Sequence, residues 1–202
     1  MTLDDFRPVA DELLKPFVSL SVRIGLTPDR VSLIAFALAA GAAGTYYLAG
    51  ADPIWYLLGA FLVLANGWLD LLDGALARRL EVASEGGDLL DHVLDRYADI
   101  LVIVGLAAGI GRYGLGLAAV TGVLMTSYLG TQSQAVGLDR VYGGLLGRAD
   151  RLALVGLVTA VAPAISGDVV GLTLVGWLLV VFAIVGHLTA LQRFYGALDA
   201  LS

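Results

Sequence analysis

The sequence predicts an all-α integral membrane protein, with six transmembrane helices preceded by an N-terminal amphipathic helix at the membrane interface. Two observations predict this class. Of the 202 residues, 58% are hydrophobic, whereas soluble domains hold about 45–50%. Apolar runs recur along the whole chain, and each approaches the roughly 20 residues that a spanning helix needs. Cysteine is absent, which excludes disulfides and leaves oxygen and imidazole ligands for any metal.

Residues 3–24 are predicted to form the interfacial helix, because apolar residues recur there at helical spacing with charges between them. The six-helix core is expected over 30–193. No repeat or low-complexity segment interrupts the chain, so residues 1–202 are expected to form one domain. The six spans are predicted at 30–49, 54–76, 89–111, 115–136, 151–166 and 169–193.

Breaks between the apolar runs give these boundaries. Thr27-Pro28 precedes the first span, with Thr27 as the expected N-cap and Pro28 in the first turn. A turn over 50–53 separates spans one and two, and a polar loop over 137–150 precedes span five. Residues 166–168 are expected to form a tight turn before span six.

Basic residues predict the orientation, since cytoplasmic loops carry an excess of Lys and Arg. With the N-terminus in the cytoplasm, only Arg112 of the 12 basic residues lies outside. We therefore expect a multi-pass protein of the cytoplasmic membrane, in contact with the lipid bilayer, with its acidic cluster at the cytoplasmic face. No nucleic-acid partner is expected.

Four aspartates lie inside predicted spans, where each costs roughly 2.5–3.5 kcal/mol at a helix centre. Asp70 and Asp73 are three residues apart in span two, and Asp91 and Asp95 are four apart in span three. Each pair shares one helix face. The connection between the spans is short, so the helices are expected to be antiparallel neighbours whose acidic faces converge.

Carboxylates gathered in one small volume repel one another and need protons or cations. Hard divalent ions such as Mg²⁺ or Mn²⁺ take oxygen ligands, and a two-metal site suits phosphate chemistry. Gly74 and Ala77 leave room beside Asp73 for a ligand, and Arg78 is placed to pair with a phosphate. Interhelical salt bridges or helix caps are the alternative structural interpretation, and a cation transporter is the alternative function.

The pattern Asp70-x2-Asp73-Gly74-x2-Ala77-Arg78-x8-Gly87-x3-Asp91-x3-Asp95 resembles the signature of the CDP-alcohol phosphotransferase family at every fixed position. The six-span layout and the cytoplasmic site are also similar to that family. The resemblance implies phospholipid synthesis: an alcohol hydroxyl attacks the β-phosphorus of a CDP-lipid, and CMP leaves. The family is commonly dimeric, so a homodimer is implied as well.

The resemblance also implies residue roles. Asp70, Asp73 and Asp91 would ligate two divalent cations, Mg²⁺ or Mn²⁺. Asp95 would contribute to one of them and would act as the general base for the acceptor hydroxyl. The residues implied to contact the CDP-lipid are Asp29, Arg30, Val31, Ser32, Gly74, Ala77, Arg78, Ser84 and Gly87.

Three arginines predicted at the same face, Arg148, Arg151 and Arg193, are candidates for an acceptor-phosphate pocket. Ordinary positive flanking of the spans is the alternative. Their surroundings resemble the inositol-phosphate branch of the family, including its archaeal members. The acceptor would then be a soluble phosphorylated alcohol, such as inositol phosphate or glycerol phosphate. The donor would be CDP-archaeol or CDP-diacylglycerol.

Span four departs from that branch, which usually has Ser-Tyr-x-Lys-Ala-Arg-Ala-Glu. Here Gly130 stands at the Lys position, Gln132 at the Arg position and Gln134 at the Glu position. An unphosphorylated acceptor such as serine therefore remains an alternative for the same chemistry.

Overall fold

The computed structural model describes residues 7–82, 84–138, 146–165 and 167–202, with side chains from residue 12 onward. The described chain is almost entirely helical, which confirms the predicted all-α class. An isolated antiparallel bridge between Val169 and Leu172 is the only β pairing within the described ranges. The helices are α1 (Arg7–Arg23), α2 (Pro28–Leu48), α3 (Trp55–Leu80), α4 (Glu85–Gly109), α5 (Tyr113–Ala135), α6 (Arg148–Val161) and α7 (Leu174–Leu201), with a 3₁₀ turn at Ala162–Ala164.

Four of the helices, α2, α3, α5 and α7, are long and apolar enough to cross a membrane. α4 has 25 residues but carries aspartates through its first half, and α6 has only 14 residues. The structure therefore supports a membrane protein with at least four candidate spans in its described part. The six-span count and the interfacial position of the N-terminal helix stay predictions.

Polar side chains determine where two of the helices begin. Thr27 caps α2 by accepting a hydrogen bond from the backbone N–H of Arg30 at 3.4 Å, with Pro28 in the first turn. Ser84 caps α4 in the same way, accepting from the N–H of Gly87 at 3.1 Å. These residues satisfy backbone donors that have no partner inside the helix.

The predicted bounds of spans five and six are wrong at both ends. Span six was expected from residue 169, but α7 begins at Leu174, because Thr173 caps it and accepts from the N–H of Gly176 at 3.1 Å. The apolar residues before the cap form a turn instead, and α7 continues past 193. Span five was expected over 151–166, but α6 begins at Arg148 and ends at Val161. Proline follows at position 163, and helices usually end before a proline.

The helices bury two groups of apolar side chains. The larger one contains side chains from every helix between α2 and α7, among them Tyr46, Leu106 and Phe182. In the smaller one, α1 packs on the last turns of α3 through Leu14, Val18, Val31, Leu72 and Leu76. The N-terminal helix, predicted over 3–24 and observed over 7–23, is therefore packed against the core. Residues 1–6 of that prediction lie outside the described residues.

α2 and α4 approach closely because α4 presents glycine at the contact. A methyl group on Gly105 would overlap the backbone of Ala43, including its carbonyl oxygen. Small residues let helix backbones approach in this way inside membranes. This contact fixes the height of α4 against α2, and hence the position of the acidic face of α4.

Replacing Gly105 by alanine is expected to lower the free energy of unfolding by about 1–3 kcal/mol, because the added methyl group overpacks the contact. The measurement is the thermal unfolding midpoint in detergent, which is expected to fall. Gly44→Ala is the matched control, because Gly44 is also inside a helix and a methyl group there meets no atom within 4 Å. The control is expected to be neutral or stabilising, since alanine favours helix by about 1 kcal/mol. A midpoint for Gly105→Ala equal to or above that of Gly44→Ala would contradict the close contact.

Candidate functional site

Three carboxylates from two helices meet at one end of the bundle. Asp70 of α3 and Asp91 and Asp95 of α4 each place an oxygen so that all three oxygens lie within 4.8 Å of one another. Each side chain is partly exposed. The acidic faces of α3 and α4 therefore converge, as their spacing predicts. We call these three residues the carboxylate cluster.

Asp73 lies one helical turn beyond Asp70 and is more buried than Asp70, with 6% of its surface exposed. The Ser32 hydroxyl donates to its Oδ2 at 2.7 Å. This bond ties the second turn of α2 to the acidic face of α3. The start of α2 also approaches α4, because Asp29 Oδ1 lies 3.5 Å from the position that a Cβ on Gly87 would take.

A guanidinium group joins two members of the carboxylate cluster. Arg148, the first residue of α6, forms an ion pair with Asp70, and its Nη2 lies 2.8 Å from Asp95 Oδ1. Its side chain is only 14% exposed. Arg148 therefore acts as an internal cation for the cluster, and four helices meet around it in a cleft also lined by Ser32 and Asn66.

Two polar residues of this site were missed by the sequence analysis. Asn66 lies one turn before Asp70 on α3, is 1% exposed, and donates to the carbonyl of Ala35 at 2.9 Å. Asp99 lies one turn after Asp95 on α4 and is also buried. Helical spacing could have found both residues. Asn66 lies four residues before Asp70, and Asp91, Asp95 and Asp99 repeat every four residues, so each set shares one helix face.

Asp99 is surrounded by arginines. Its Oδ2 accepts a hydrogen bond from Arg151 Nη2 at 2.9 Å and lies 3.8 Å from Arg96 Nη2. Its Oδ1 lies 3.9 Å from Arg148 Nε. Arg148 and Arg151, two of the three arginines predicted for an acceptor-phosphate pocket, thus meet on this carboxylate.

Arg193, the third predicted member of that pocket, donates from Nη1 to the carbonyl of Thr126 at 2.6 Å. Thr126 lines a small cavity between α5, α6 and α7 together with Arg151 and Thr189. Arg148 therefore contacts the carboxylate cluster directly, whereas Arg193 is connected to the surroundings of Arg151 through Thr126.

Comparison with known proteins now identifies the family. Residues 25–188 match the family model described as CDP-alcohol phosphatidyltransferase. The chain belongs to this family. It is a transferase of phospholipid synthesis, and the cation-transporter alternative is set aside.

Similar proteins carry related activities. An archaetidylinositol phosphate synthase from Methanothermobacter thermautotrophicus is 34% identical over 197 residues, which cover 95% of this chain and 91% of the relative. The phosphatidylinositol phosphate synthase of Mycobacterium tuberculosis has been solved with CDP-DAG bound, with a TM-score of 0.77 and 25% identity over 92% of this chain and 94% of that one. The same synthase has been solved with manganese and citrate, with a TM-score of 0.77 and 26% identity over 91% and 88%.

The residues of the carboxylate cluster fit a divalent cation. Their three carboxylates offer hard oxygen donors that converge from two helices, which is the ligand type that Mg²⁺ and Mn²⁺ prefer. Two of these carboxylates, those of Asp70 and Asp95, already pair with the positive charge of Arg148. A site that attracts a guanidinium cation between carboxylates is suited to a metal cation as well.

The residues predicted to contact the CDP-lipid lie around the same end of α2, α3 and α4. A methyl group on Gly74 would meet only Arg78, at 3.5 Å, so the surface beside Asp73 is open, as expected. Asp29, Arg30, Arg78 and Ser84 are exposed, and Ala77 and Gly87 are partly buried. Val31 differs, because its side chain is 1% exposed and packs in the smaller apolar group. Its side chain is therefore not available to a ligand.

Proposed function

We propose that this CDP-alcohol phosphatidyltransferase transfers a lipid-phosphate group from a CDP-lipid to a hydroxyl of a phosphorylated polar alcohol, with inositol phosphate as the first candidate. The observation that carries this proposal is the adjacency of two groups at one end of the bundle: an acidic cluster and a set of arginines that share Asp99. The first suits a metal-bound diphosphate, and the second suits the phosphate of the acceptor. The names of the relatives, archaetidylinositol and phosphatidylinositol phosphate synthase, support the same acceptor.

The metal would be held by Asp70, Asp73, Asp91 and Asp95, as two divalent cations, Mg²⁺ or Mn²⁺. Such cations neutralise phosphoryl oxygens and stabilise the departing CMP. The manganese in the solved relative supports a metal at this site. Asp73 would be oriented by Ser32, whose hydroxyl already fixes one of its oxygens.

Asp95 is proposed as the general base. It would take the proton of the acceptor hydroxyl as the oxygen of that hydroxyl attacks the β-phosphorus, and CMP would carry away the bonding electrons. Its position supports this role, because it belongs to the carboxylate cluster and also contacts two arginines, at 2.8 Å from Arg148 and 3.6 Å from Arg96.

The donor is proposed to bind at the start of α2, the end of α3 and the start of α4. The exposed side chains of Asp29, Arg30, Arg78 and Ser84, and the open surface at Gly74, would contact the CDP group. The acceptor phosphate would bind to Arg148, Arg151 and Arg193. Glycerol phosphate remains the second acceptor, because the span-four cations of the inositol-phosphate branch are replaced by Gly130 and Gln132.

The position in the membrane is also part of the proposal. Six helices would cross the bilayer, with α1 at the interface and the site facing the cytoplasm, where a soluble alcohol can reach a membrane-embedded CDP-archaeol or CDP-diacylglycerol. The polar contacts of the site lie at the end of the bundle opposite Arg112, which bonds the carbonyl of Gly171. The bias of basic residues supports the orientation, and family likeness supports a homodimer.

The test is CMP release by the purified protein in detergent with Mn²⁺ and CDP-archaeol, with one acceptor supplied at a time. Inositol phosphate is expected to give the fastest release, glycerol phosphate a slower one, and serine or free inositol none above background. A faster reaction with serine or free inositol would contradict the phosphorylated acceptor and leave the transferase class intact. Heat-treated protein and reactions without acceptor serve as controls.

A further inference from the structure

One buried carboxylate in this structure is shared by three guanidinium groups. Asp99 lies within 4 Å of Arg96, Arg148 and Arg151, and its side chain is 5% exposed. Among the described residues, it is one of three carboxylates within 4 Å of Arg148, with Asp70 and Asp95, but it does not belong to the carboxylate cluster. The proposed metal and donor contacts therefore give Asp99 no role.

The arginines depend on Asp99 to different degrees. Arg148 also pairs with Asp70 and Asp95, so its charge is shared with the carboxylate cluster. Arg151 is 8% exposed and bonds Asp99 at 2.9 Å, and Asp99 is the acid with which it pairs in the described structure. A buried guanidinium needs a partner to offset the loss of water. Asp99 therefore fixes the position of Arg151 at the start of α6.

Arg96 reaches from Asp99 to a second helix. Its Nη2 lies 3.8 Å from Asp99, and its Nη1 donates to the hydroxyl of Ser127 on α5. Through Arg96 and Arg151, one carboxylate connects α4 with α5 and with α6. A rigid group of this kind presents guanidinium donors to an anion in an orientation that is fixed before the anion arrives.

We propose that Asp99 is a positioning residue that determines recognition of the acceptor phosphate. It touches no substrate and acts through Arg151 and Arg148, which it holds side by side next to Asp95. The inference rests on the proposed function, because it assumes a phosphorylated acceptor. It goes beyond that function by naming the residue on which the phosphate site is built.

Simple electrostatics and positioning predict opposite results for the loss of this carboxylate. Removing a negative charge beside the arginines makes the region more positive, which alone would strengthen phosphate binding. Releasing Arg151 and Arg148 from their shared partner would instead weaken phosphate binding, because the guanidinium groups lose their fixed orientation. The sign of the change therefore distinguishes the two.

The experiment compares Asp99→Asn with wild type in the CMP-release assay, with KM measured separately for inositol phosphate and for CDP-archaeol. The acceptor KM is expected to rise about tenfold or more, as losses of outer partners typically do. The donor KM is expected to stay within about twofold. Asp88→Asn is the matched control, since it removes the same charge from an exposed position on the same helix and is expected to change neither KM.

If the asparagine variant does not fold, Asp99→Glu tests the same inference through its acceptor KM. It keeps the charge but moves it by one methylene, so a smaller rise in the acceptor KM alone is expected. An unchanged or lower acceptor KM in either folded variant would overturn the inference, as would equal rises for both substrates. If wild-type protein prefers an unphosphorylated acceptor, the proposed function fails in its own assay, and this inference falls with it.

Discussion

Asp91→Asn is expected to abolish turnover at micromolar Mn²⁺. Asp91 contributes one of the three oxygens that lie within 4.8 Å of one another, and an amide offers a neutral, weaker ligand in place of a carboxylate. Loss of outer partners alone weakens metal binding about 10–100-fold, so loss of a direct ligand is expected to raise the dissociation constant for Mn²⁺ by at least about 100-fold. Electron paramagnetic resonance of free Mn²⁺ measures this constant without any reliance on turnover.

The control for that prediction is Asp88→Asn, one turn earlier on α4. Asp88 carries the same charge but is exposed, and its carboxylate lies 3.5 Å from His92 rather than in the cluster. Its replacement is expected to leave the Mn²⁺ constant within about threefold, the size of a screened surface interaction. Equal weakening by both variants would mean that Mn²⁺ responds to net charge and not to ligation by Asp91.

Helix positions were largely predictable because long apolar runs indicate the membrane helices and capping residues indicate where they begin. Thr27 and Pro28 predict the start of α2, and the structure has that start. The sixth span was predicted five residues too early, because Val169 and Val170 are as apolar as any helical residue. Their turn is closed by the backbone pairing of Val169 with Leu172 and by the Thr173 cap, which hydropathy does not detect.

The acidic half of the site was predictable for a similar reason: helical spacing determines which carboxylates share a face. The pairing of the arginines was not. Arg148 was expected to face a phosphate, yet in the structure it lies on Asp70 and Asp95. These contacts join residues more than 50 positions apart, and no local pattern encodes them. Asp99 was missed because the family signature ends at Asp95, although the four-residue repeat continues through it.

The contact between Arg148 and the cluster has a consequence for binding. A divalent cation held by Asp70 and Asp95 would compete with Arg148 for these carboxylates, so the charge of Arg148 would be better available to an anion once a metal is bound. By linkage, metal and acceptor phosphate would then favour each other's binding. Asp99 remains as the partner of the arginine side in either case, since its oxygens lie outside the cluster.

Asp95→Asn is expected to lower kcat by about 10²–10⁴-fold, the usual contribution of a general base. The reason is that an amide nitrogen or oxygen at this position cannot accept the proton of the attacking hydroxyl. Asp95 also belongs to the carboxylate cluster, so a fall in turnover alone would not separate its two roles. The measurement is therefore kcat for CMP release as Mn²⁺ is raised to saturation.

A metal titration separates the two roles because ligation can be restored by mass action and proton transfer cannot. In Asp91→Asn, where only a ligand is weakened, excess Mn²⁺ is expected to recover a large part of kcat. In Asp95→Asn, the bound metal is expected to reach the same occupancy while kcat stays low. Both variants retain Arg148 and Asp99, but Asp95→Asn also removes a carboxylate that pairs with Arg148, so kcat is measured at saturating acceptor in both. Recovery of Asp95→Asn by Mn²⁺ to the level of Asp91→Asn would show that Asp95 is a ligand only, and the base would have to be sought elsewhere in the cleft.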